Sequence, residues 1–254
     1  MLPPIGSGDK TLTQPQLLSR SIEIDKYLKT LSANKIGKIM SISKPLSLKT
    51  KNLIADWSAE PNKQSKAVDS FLGDIYSGLQ AHDWTTENLE YANKTLRILS
   101  GLYGILRPND GIYPYRLEMG YKLPNKKFSS LYKYWGESIV NTLPNNIPIV
   151  NLSAVEYSKV VTDFVDSNIV TTPTFYTINP ITQMPTFVAV HSKIARGAFA
   201  NWLIKNRITD VKDLASFNDI GYKHSTKLSK SNFPAFVAQE FYGKGLSIRL
   251  QHKQ

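Results

Sequence analysis

The amino-acid sequence predicts a mixed α/β fold, a single compact domain over residues 1–254 in which helices flank a mixed sheet. Two observations lead to this prediction: helical periodicity in the first half of the chain, and strand-like runs that alternate with helical patterns in the second half. Hydrophobic residues make up 41% of the chain, which is enough to bury a substantial core. No segment has the composition of a linker, so one domain is expected.

Apolar residues recur at close to helical spacing in several segments. Pro45 is placed to begin the third of three N-terminal helices, because proline is tolerated in the first turn of a helix. Gly73 interrupts the next helical block, and the hydroxyl group of Thr85 can cap the block after it. The predicted helical segments are residues 16–57, 66–81, 85–95, 131–143 and 195–206.

Other short segments, rich in apolar and β-branched residues, have the character of strands. The predicted strands are residues 96–99, 148–152, 169–176, 186–190 and 235–240. The polar, lysine-rich stretch at residues 223–232, KHSTKLSKSN, is expected to form a mobile basic loop. Residues 1–10, MLPPIGSGDK, are expected to be a disordered start, because their two prolines cannot donate to a strand ladder.

The chain is basic, with a formal net charge of +11 at pH 7. Lysine and arginine neutralise phosphates and release their counterions, so this charge predicts DNA as a partner. The alternative is a lysine-rich composition with no such partner. The sequence has no cysteine, which excludes disulfides, thiol nucleophiles and cysteine-ligated metals. It also has no long apolar run and no signal-peptide pattern, which predicts a cytoplasmic protein without a membrane partner.

The sequence offers no signal for a metal or a cofactor. Its four histidines lack the short spacing of a metal-binding pair. Glycine-rich nucleotide motifs and serine-hydrolase motifs are also missing from the sequence. We therefore predict neither a metal site nor a cofactor.

Residues 95–120, TLRILSGLYGILRPNDGIYPYRLEMG, combine glycines, prolines and arginines in a pattern typical of a site built on loops. Gly101 and Gly104 are spaced almost as in a helix-hairpin-helix turn, where glycines let backbone N–H groups approach a DNA phosphate. Arg107 would complete that contact, and Arg116 follows in the same segment. The alternative is a tight turn in which Leu102 packs into the core.

Lys193, Arg196 and Gly197 form a second candidate anion site. The predicted transition from strand to helix places the two cations near a helix N-terminus and three residues apart, so they share a face. The helix dipole already favours an anion there, and a bound phosphate or carboxylate would relieve the repulsion of the two cations. The alternative is an ordinary solvated face.

Glu118 and Glu156 are the candidate catalytic residues. Glu118 is two residues from Arg116 and Glu156 is three residues from Lys159, and carboxylates among cations can support acid–base chemistry. Glu156 also follows the strand predicted at residues 148–152, a common position for ligands in α/β sheets. A helix start that pairs with Lys159 would explain Glu156 equally well. The sequence does not show whether the two carboxylates meet.

Several ordered blocks of the chain resemble the YaaA family of peroxide stress proteins. LSGLYGILRP and PYRLEMG, within residues 99–120, are very similar to the signature of that family. One difference is that the family opens with an apolar strand running into S-P-A-K-T, whereas this chain opens with MLPPIGSGDK. The remaining similar blocks are K-T-L at residues 10–12, G-D-x-Y-x-G-L at 73–79, Y-W-G at 134–136, N-L-x-x-x-E-Y at 151–157, K-x-A-R-G at 193–197 and N-x-x-G-Y at 218–222.

The resemblance implies a compact fold with a positively charged cleft and a helix-hairpin-helix-like element that binds DNA. It further implies a cytoplasmic protein of the oxidative stress response that binds duplex or branched DNA and limits both DNA damage and available intracellular iron. The residues predicted to bind DNA or another anion are Lys10, Gly101, Gly104, Arg107, Arg116, Lys193, Arg196 and Gly197.

Glycine turns and scattered cations contact backbone phosphates and DNA shape, and they do not read base edges. The alternative function is an enzyme that acts on a small anionic substrate or a nucleobase in the same basic cleft. A basic adaptor for an acidic protein is a third class. The sequence favours a binding protein and leaves the enzyme open.

Overall fold

The computed structural model describes Met1, residues 11–60 and residues 63–246. Nine α-helices lie in these described ranges, together with several short 3-10 turns. The helices are α1 (Leu18–Lys29), α2 (Ala33–Met40), α3 (Lys44–Asp56), α4 (Ala67–Ser70), α5 (Asp74–Leu79), α6 (Thr86–Thr95), α7 (Leu131–Trp135), α8 (Val155–Thr162) and α9 (Ala189–Lys205).

The strands are short and belong to one four-stranded sheet and three two-stranded pairs. In the larger sheet the order is β8-β7-β10-β9, and only the β7–β10 pair is parallel. The strands are β1 (Ser65–Lys66), β2 (Ile98–Ser100), β3 (Gly104–Leu106), β4 (Gly111–Ile112), β5 (Ile149–Val150), β6 (Val170–Thr171), β7 (Thr174–Ile178), β8 (Pro185–Thr186), β9 (Tyr222–His224) and β10 (Ala235–Ala238). Helices with a mixed sheet confirm the predicted α/β class.

Contacts between residues divide the chain into two compact units, each built from segments that are distant in sequence. Because each unit is discontinuous, no single linker separates them in sequence. The single-domain organisation therefore stays a prediction. Unit 1 comprises Met1–Phe71, Asn93–Pro144 and Ala154–Phe164, and unit 2 comprises Leu72–Ala92, Asn145–Ser153 and Val165–Gln254.

Unit 1 packs α1–α3 and the β2–β3 hairpin around buried aromatic and aliphatic side chains. Trp135 and Tyr103 are fully buried, as are Leu102 and Ile105 of the hairpin. The indole of Trp57 donates to the Tyr103 hydroxyl over 2.8 Å, and the same hydroxyl accepts from the Tyr113 backbone over 3.0 Å. The hydroxyl itself donates to the Tyr113 carbonyl over 3.5 Å, so a phenol that has no contact with water uses both its donor and its acceptor capacity.

Unit 2 packs the long helix α9 against the four-stranded sheet. Its core is a cluster of aromatic rings in edge and stacked contacts, with Phe175 only 5.3 Å from Tyr222 and 5.5 Å from Phe236 between ring centroids. Phe199 of α9 lies 4.7 Å from Phe217 in the same cluster. Aromatic contacts of this kind favour a single arrangement of the helix on the sheet.

Most of the predicted helices are confirmed. Three helices cover residues 18–56, with Pro45 in the first turn of α3. The block at residues 66–81 is interrupted at Gly73, which has a φ of +134°. Asn88 donates its backbone N–H to the Thr85 hydroxyl over 3.2 Å, which is the predicted cap.

Three local predictions are wrong. The helix predicted at residues 131–143 ends at Trp135, because Gly136 takes a φ of +47° and only 3-10 turns follow. The strand predicted at residues 186–190 reaches only Thr186 before α9 begins, since a short apolar run does not distinguish a strand from the first turn of a helix. The predicted basic loop at residues 223–232 begins inside β9.

Candidate functional site

The segment around Gly101 and Gly104 is a β-hairpin, so the predicted helix-hairpin-helix geometry is wrong. Ser100 pairs with Gly104 at the end of the ladder, and the Ser100 hydroxyl accepts from the Tyr103 backbone over 2.8 Å to close the turn. Gly104 takes a φ of +72° with its Cα facing the indole of Trp135, so a side chain there would meet the ring at 2.9 Å. The sequence could not show this, because glycine permits tight turns in both structures.

Gly101 is required by a close approach of two backbone segments. A Cβ at this position would overlap the Leu117 carbonyl oxygen and lie 3.0 Å from the Glu118 carbonyl carbon. The Gly101 carbonyl accepts from the buried Trp135 indole over 3.1 Å. Gly101 and Gly104 are both buried, so their contacts with Leu117 and Trp135 account for these two glycines within unit 1.

Arg107 closes the loop that follows the hairpin. Its guanidinium donates from Nε and Nη2 to Asp110 Oδ1 over 3.1 and 2.8 Å, and its backbone N–H donates to Asp110 Oδ2 over 2.7 Å. The Thr13 hydroxyl also donates to Asp110 Oδ1 over 2.7 Å. Asp110 is completely buried, so Arg107 is the counter-charge that this carboxylate requires.

Glu156 joins α8 to the loop at residues 116–121. It lies in the first turn of α8, where the helix dipole favours a carboxylate. Its Oε1 accepts from the Gly120 backbone over 2.9 Å, and a Cβ at Gly120 would lie 3.0 Å from that oxygen. The Tyr132 hydroxyl donates to the Glu156 carbonyl over 2.8 Å. Glu156 therefore anchors the loop that carries Glu118.

Glu118 and Glu156 lie in one neighbourhood, which we call the carboxylate cluster: Arg116, Glu118, Tyr121, Glu156 and Tyr157. Burial first, and then the charges of both glutamates, raises the pKa of Tyr157. Burial and the charge of Glu118 likewise raise the pKa of Tyr121, although a hydrogen bond from Arg116 opposes this rise. The Nε atom of Arg116 is buried and has no hydrogen-bond partner among the described residues. Tyr157 follows the same predicted strand as Glu156, whereas Tyr121 was not identified from the sequence.

Lys193 and Arg196 do not lie at a helix N-terminus. Helix α9 begins at Ala189, so both cations lie beyond its first turn and the dipole argument for an anion does not apply. Lys193 is exposed, whereas Arg196 is half-buried and donates to the Ser153 carbonyl over 3.3 Å. Burial lowers the pKa of Arg196. The two side chains thus have different surroundings.

Gly197 lies where α9 crosses α5. A Cβ at Gly197 would overlap the Ile75 carbonyl oxygen and lie 2.6 Å from the Leu79 nitrogen, and a Cβ at Gly78 would overlap the Ile194 carbonyl oxygen. The G-D-x-Y-x-G-L and K-x-A-R-G blocks therefore pack against each other in unit 2, with a glycine from each at the crossing. Gly197 serves this crossing.

The predicted site residues are divided between the two units. Arg107, Arg116 and the two glutamates belong to unit 1, whereas Lys193 and Arg196 belong to unit 2. Lys10 lies outside the described residues. Within the described part of the chain, no group of three or more histidine, aspartate or glutamate side chains is placed to hold a metal ion. None of the helices described is long and apolar enough to span a bilayer.

Sequence reasoning missed a groove of about 480 Å³ in unit 1. We call it the basic groove, and its lining residues are Arg20, Glu23, Lys127, Lys133 and Tyr134. These residues come from α1, from α7 and from the loop before α7, so no local motif reveals them. The only sequence signal is that Arg20 and Glu23 lie three residues apart on one face of α1.

Comparison with known proteins gives consistent results over most of the chain. Residues 3–228 match the family model described as peroxide stress protein YaaA. A UPF0246 protein from Salinispora tropica is 53% identical over 246 residues, which cover 97% of this chain and 94% of that protein. A UPF0246 protein from Ralstonia pickettii is 39% identical over 84% of this chain and 85% of its own length. One from a Marinomonas species is 34% identical over 91% of this chain and 90% of its own length.

Proposed function

Because the chain belongs to the YaaA family of peroxide stress proteins, we propose that it acts in the peroxide stress response by binding DNA. In this proposal it works in the cytoplasm, contacts duplex or branched DNA through backbone phosphates and shape, and limits DNA damage. The proposal includes a lowering of available intracellular iron, which follows from the family resemblance alone.

The observation that supports DNA binding is the uncompensated positive charge of the chain. The chain has a net charge of +11, and several of its cations are exposed in the described part of each unit. Lys193, Lys223, Lys227 and Lys230 are exposed in unit 2, and Lys133 is exposed in unit 1. Exposed lysine side chains are flexible and carry charge without a fixed hydrogen-bond geometry. They therefore attract DNA phosphates whatever the sequence of the DNA.

The surroundings of the predicted site residues also favour contact with the DNA backbone over base reading. The buried glycines form the turn of the β2–β3 hairpin, and Arg107 forms an ion pair with Asp110, so we do not assign these residues to DNA contacts. Arg116, Lys193 and Arg196 are the predicted site cations that we propose for phosphate contacts. Phosphate contacts fix the position of a protein on DNA and carry no sequence information, whereas base readout needs side chains that enter a groove and contact base edges.

Salt dependence tests the proposal. Fluorescence anisotropy would follow binding of the purified chain to a labelled duplex and to a labelled four-way junction of equal length. Between about 50 and 200 mM salt, we expect a linear log–log fall in affinity with a slope of about −0.9 for each duplex phosphate contacted. Absence of binding to both DNAs at the lowest salt concentration would contradict the proposal.

A second candidate function is an enzyme that acts on a small anionic substrate or a nucleobase. The observation that favours it is the carboxylate cluster, which brings Glu118 and Glu156 beside the same two phenols. A carboxylate can serve as general base, a protonated tyrosine can serve as general acid, and Arg116 can hold an anionic group.

Thermal-shift measurements with nucleotides and free nucleobases test this second function. Ligand stabilisation that is lost in Glu118→Gln and retained in Glu90→Gln, an exposed control in unit 2, would favour the enzyme. If no compound in the panel raises Tm, this second candidate loses its support.

A further inference from the structure

The basic groove places two cations over one aromatic ring and has a third cation in its lining. The Arg20 guanidinium lies 4.5 Å from the centroid of Tyr134 and donates to the Tyr134 carbonyl and to the Ser138 hydroxyl. Lys127 Nζ lies 6.0 Å from the same centroid, and Lys133 is exposed at the rim. Stacking on aromatic faces holds the two inner cations in place without cancelling their charge.

One carboxylate lies in this groove. Glu23 Oε2 is 2.8 Å from Lys127 Nζ and accepts from the Tyr134 hydroxyl over 2.9 Å. These two hydrogen bonds, the first from Lys127, lower the pKa of Glu23, so it is ionised at neutral pH and neutralises one cation. The charges of Arg20 and Lys133 are left for a ligand.

A second groove of about 440 Å³ lies beside the first along α1. We call it the lysine groove, and its lining residues are Tyr27, Thr30, Leu31, Lys35, Lys38, Ile39 and Pro124. Lys35 and Lys38 of α2 are exposed, and the described structure contains no carboxylate in the lining of this groove. The charged groups in the lining of the lysine groove are therefore both cations.

A row of aromatic rings joins the two grooves. Tyr27 in the lysine groove lies 5.3 Å from Phe128, and Phe128 lies 5.0 Å from Tyr134 in the basic groove, between ring centroids. Arg20 and Tyr27 lie seven residues apart on one face of α1, about 10 Å along its axis at about 1.5 Å per residue. The two grooves are thus neighbours in unit 1, and we call them together the strip.

We infer that this strip, from Lys133 and Arg20 through Lys127 to Lys35 and Lys38, is a phosphate track that seats one strand of duplex DNA. Five cations and one carboxylate line the two grooves, so the strip offers more positive than negative charge to a row of phosphates. The inference rests on the proposed DNA binding and assigns it a surface.

The strip suits phosphates better than bases. Phe128 and Tyr134 are 5% and 6% exposed, so their ring faces lie beneath the cations and are closed to a base. Platforms for single strands instead present aromatic faces on which successive bases stack. The strip should therefore bind duplex DNA without sequence preference, and it should lose affinity as its lysines are removed.

A matched pair of double variants tests the track. The first variant combines Lys35→Ala with Lys133→Ala. The backbone N–H of Lys35 donates to the Ser32 hydroxyl and that of Lys133 donates to the Ser130 hydroxyl, and alanine keeps both backbone bonds. The control combines Lys49→Ala with Lys212→Ala, two exposed lysines outside the strip that remove the same charge. Both are measured by fluorescence anisotropy on one labelled duplex across a salt series, with Tm recorded to verify folding.

We expect the track variant to bind about tenfold more weakly and its log–log salt slope to be shallower by about 1.8, or about 0.9 for each of two lost phosphate contacts. The control should bind close to wild type. Equal losses in the two variants would overturn the track, because total charge would then govern binding while the proposed function survives. If the wild-type chain fails to bind the duplex, the track is rejected, whereas the proposed function is rejected only if the chain also fails to bind the four-way junction.

Discussion

The β2–β3 hairpin of unit 1 and the Lys193–Gly197 segment of unit 2 have the same composition of glycine and cation, but they use it differently. In both, the glycine allows two backbone segments to approach closely: Gly101 lies against Leu117, and Gly197 lies against Ile75. The glycines are thus equivalent, and both serve packing.

The cations separate the two regions. Arg107 is bound to Asp110, a carboxylate with no exposure to solvent, so its charge belongs to the fold. Lys193 is exposed, and Arg196 has one hydrogen bond to the Ser153 carbonyl and no carboxylate partner among the described residues. The comparison teaches that a buried counter-charge, which lies outside the glycine motif, decides whether a cation is available to a ligand.

The largest effect is expected at the glycine of unit 2. Gly197→Ala forces a methyl group into the backbone of α5, and we expect a loss of about 3 kcal/mol in the free energy of unfolding. For a chain of this size, that corresponds to a fall in Tm of about 6–12 °C. Thermal denaturation followed by circular dichroism would measure it.

Gly37→Ala in α2 is the matched helical control. Its nearest neighbour is a side-chain atom, Ser47 Cβ at 3.3 Å, and alanine is a better helix former, so the change should stay within about 1 kcal/mol. A Gly197→Ala protein as stable as wild type would show that the α5–α9 crossing does not need glycine.

A somewhat smaller effect is expected at the hairpin arginine. Arg107→Ala leaves Asp110 buried without its counter-charge, and we expect the free energy of unfolding to fall by about 2–3 kcal/mol. This is less than for a fully buried ion pair, because Arg107 is partly exposed. Adding Asp110→Asn should recover part of the loss. Urea denaturation of the single and double variants measures both. Unchanged stability with weakened DNA binding would instead make Arg107 a DNA contact.

The third prediction concerns the available cations of unit 2. If Arg196 makes a directional phosphate contact, Arg196→Ala should weaken DNA binding at least about tenfold. A charge-assisted hydrogen bond contributes about 1.5–3 kcal/mol, and about 1.4 kcal/mol corresponds to a factor of ten in affinity. Lys230→Ala removes an exposed charge and keeps the backbone bonds to Phe233, so it should change affinity little. Equal small effects on anisotropy-measured affinity would assign binding to total charge.

The smallest effect is expected in the carboxylate cluster beside the hairpin. A neighbouring carboxylate repels a phenolate, so Glu156→Gln should lower the pKa of Tyr157. In the folded wild type the raised pKa keeps the Tyr157 phenol protonated above about pH 10, where the same group ionises in the unfolded chain. The free energy of unfolding therefore falls as pH rises above about 10, and in Glu156→Gln this fall should be smaller. Ultraviolet absorbance of the phenolate measures the titration.

The matching control is Tyr157→Phe, which removes that titration altogether. A Tyr157 titration in Glu156→Gln that coincides with the wild-type curve would show that the two groups are not close enough to interact.

Sequence patterns predicted the helices well, because helical periodicity and caps act within a few residues of each other. Pro45 and Thr85 illustrate this, since each acts within the first turn of its own helix. The start of α9 was mistaken because TFVAV is too short for periodicity to distinguish a strand from a helix. The carboxylate cluster was half predicted: both glutamates were identified, but the hydrogen bond from Gly120 that brings the Glu118 loop to Glu156 joins segments far apart in sequence.

By itself, then, the sequence determined the fold class, the family and the surplus of positive charge, since all three are properties of residue order and composition. Only the tertiary structure decided which glycines pack against backbone, which arginine faces a buried aspartate and which lysines line a common strip. Those outcomes depend on contacts between residues far apart in the chain, such as Trp135 with Gly101. Such contacts leave no local periodicity, because either partner alone is compatible with many neighbours.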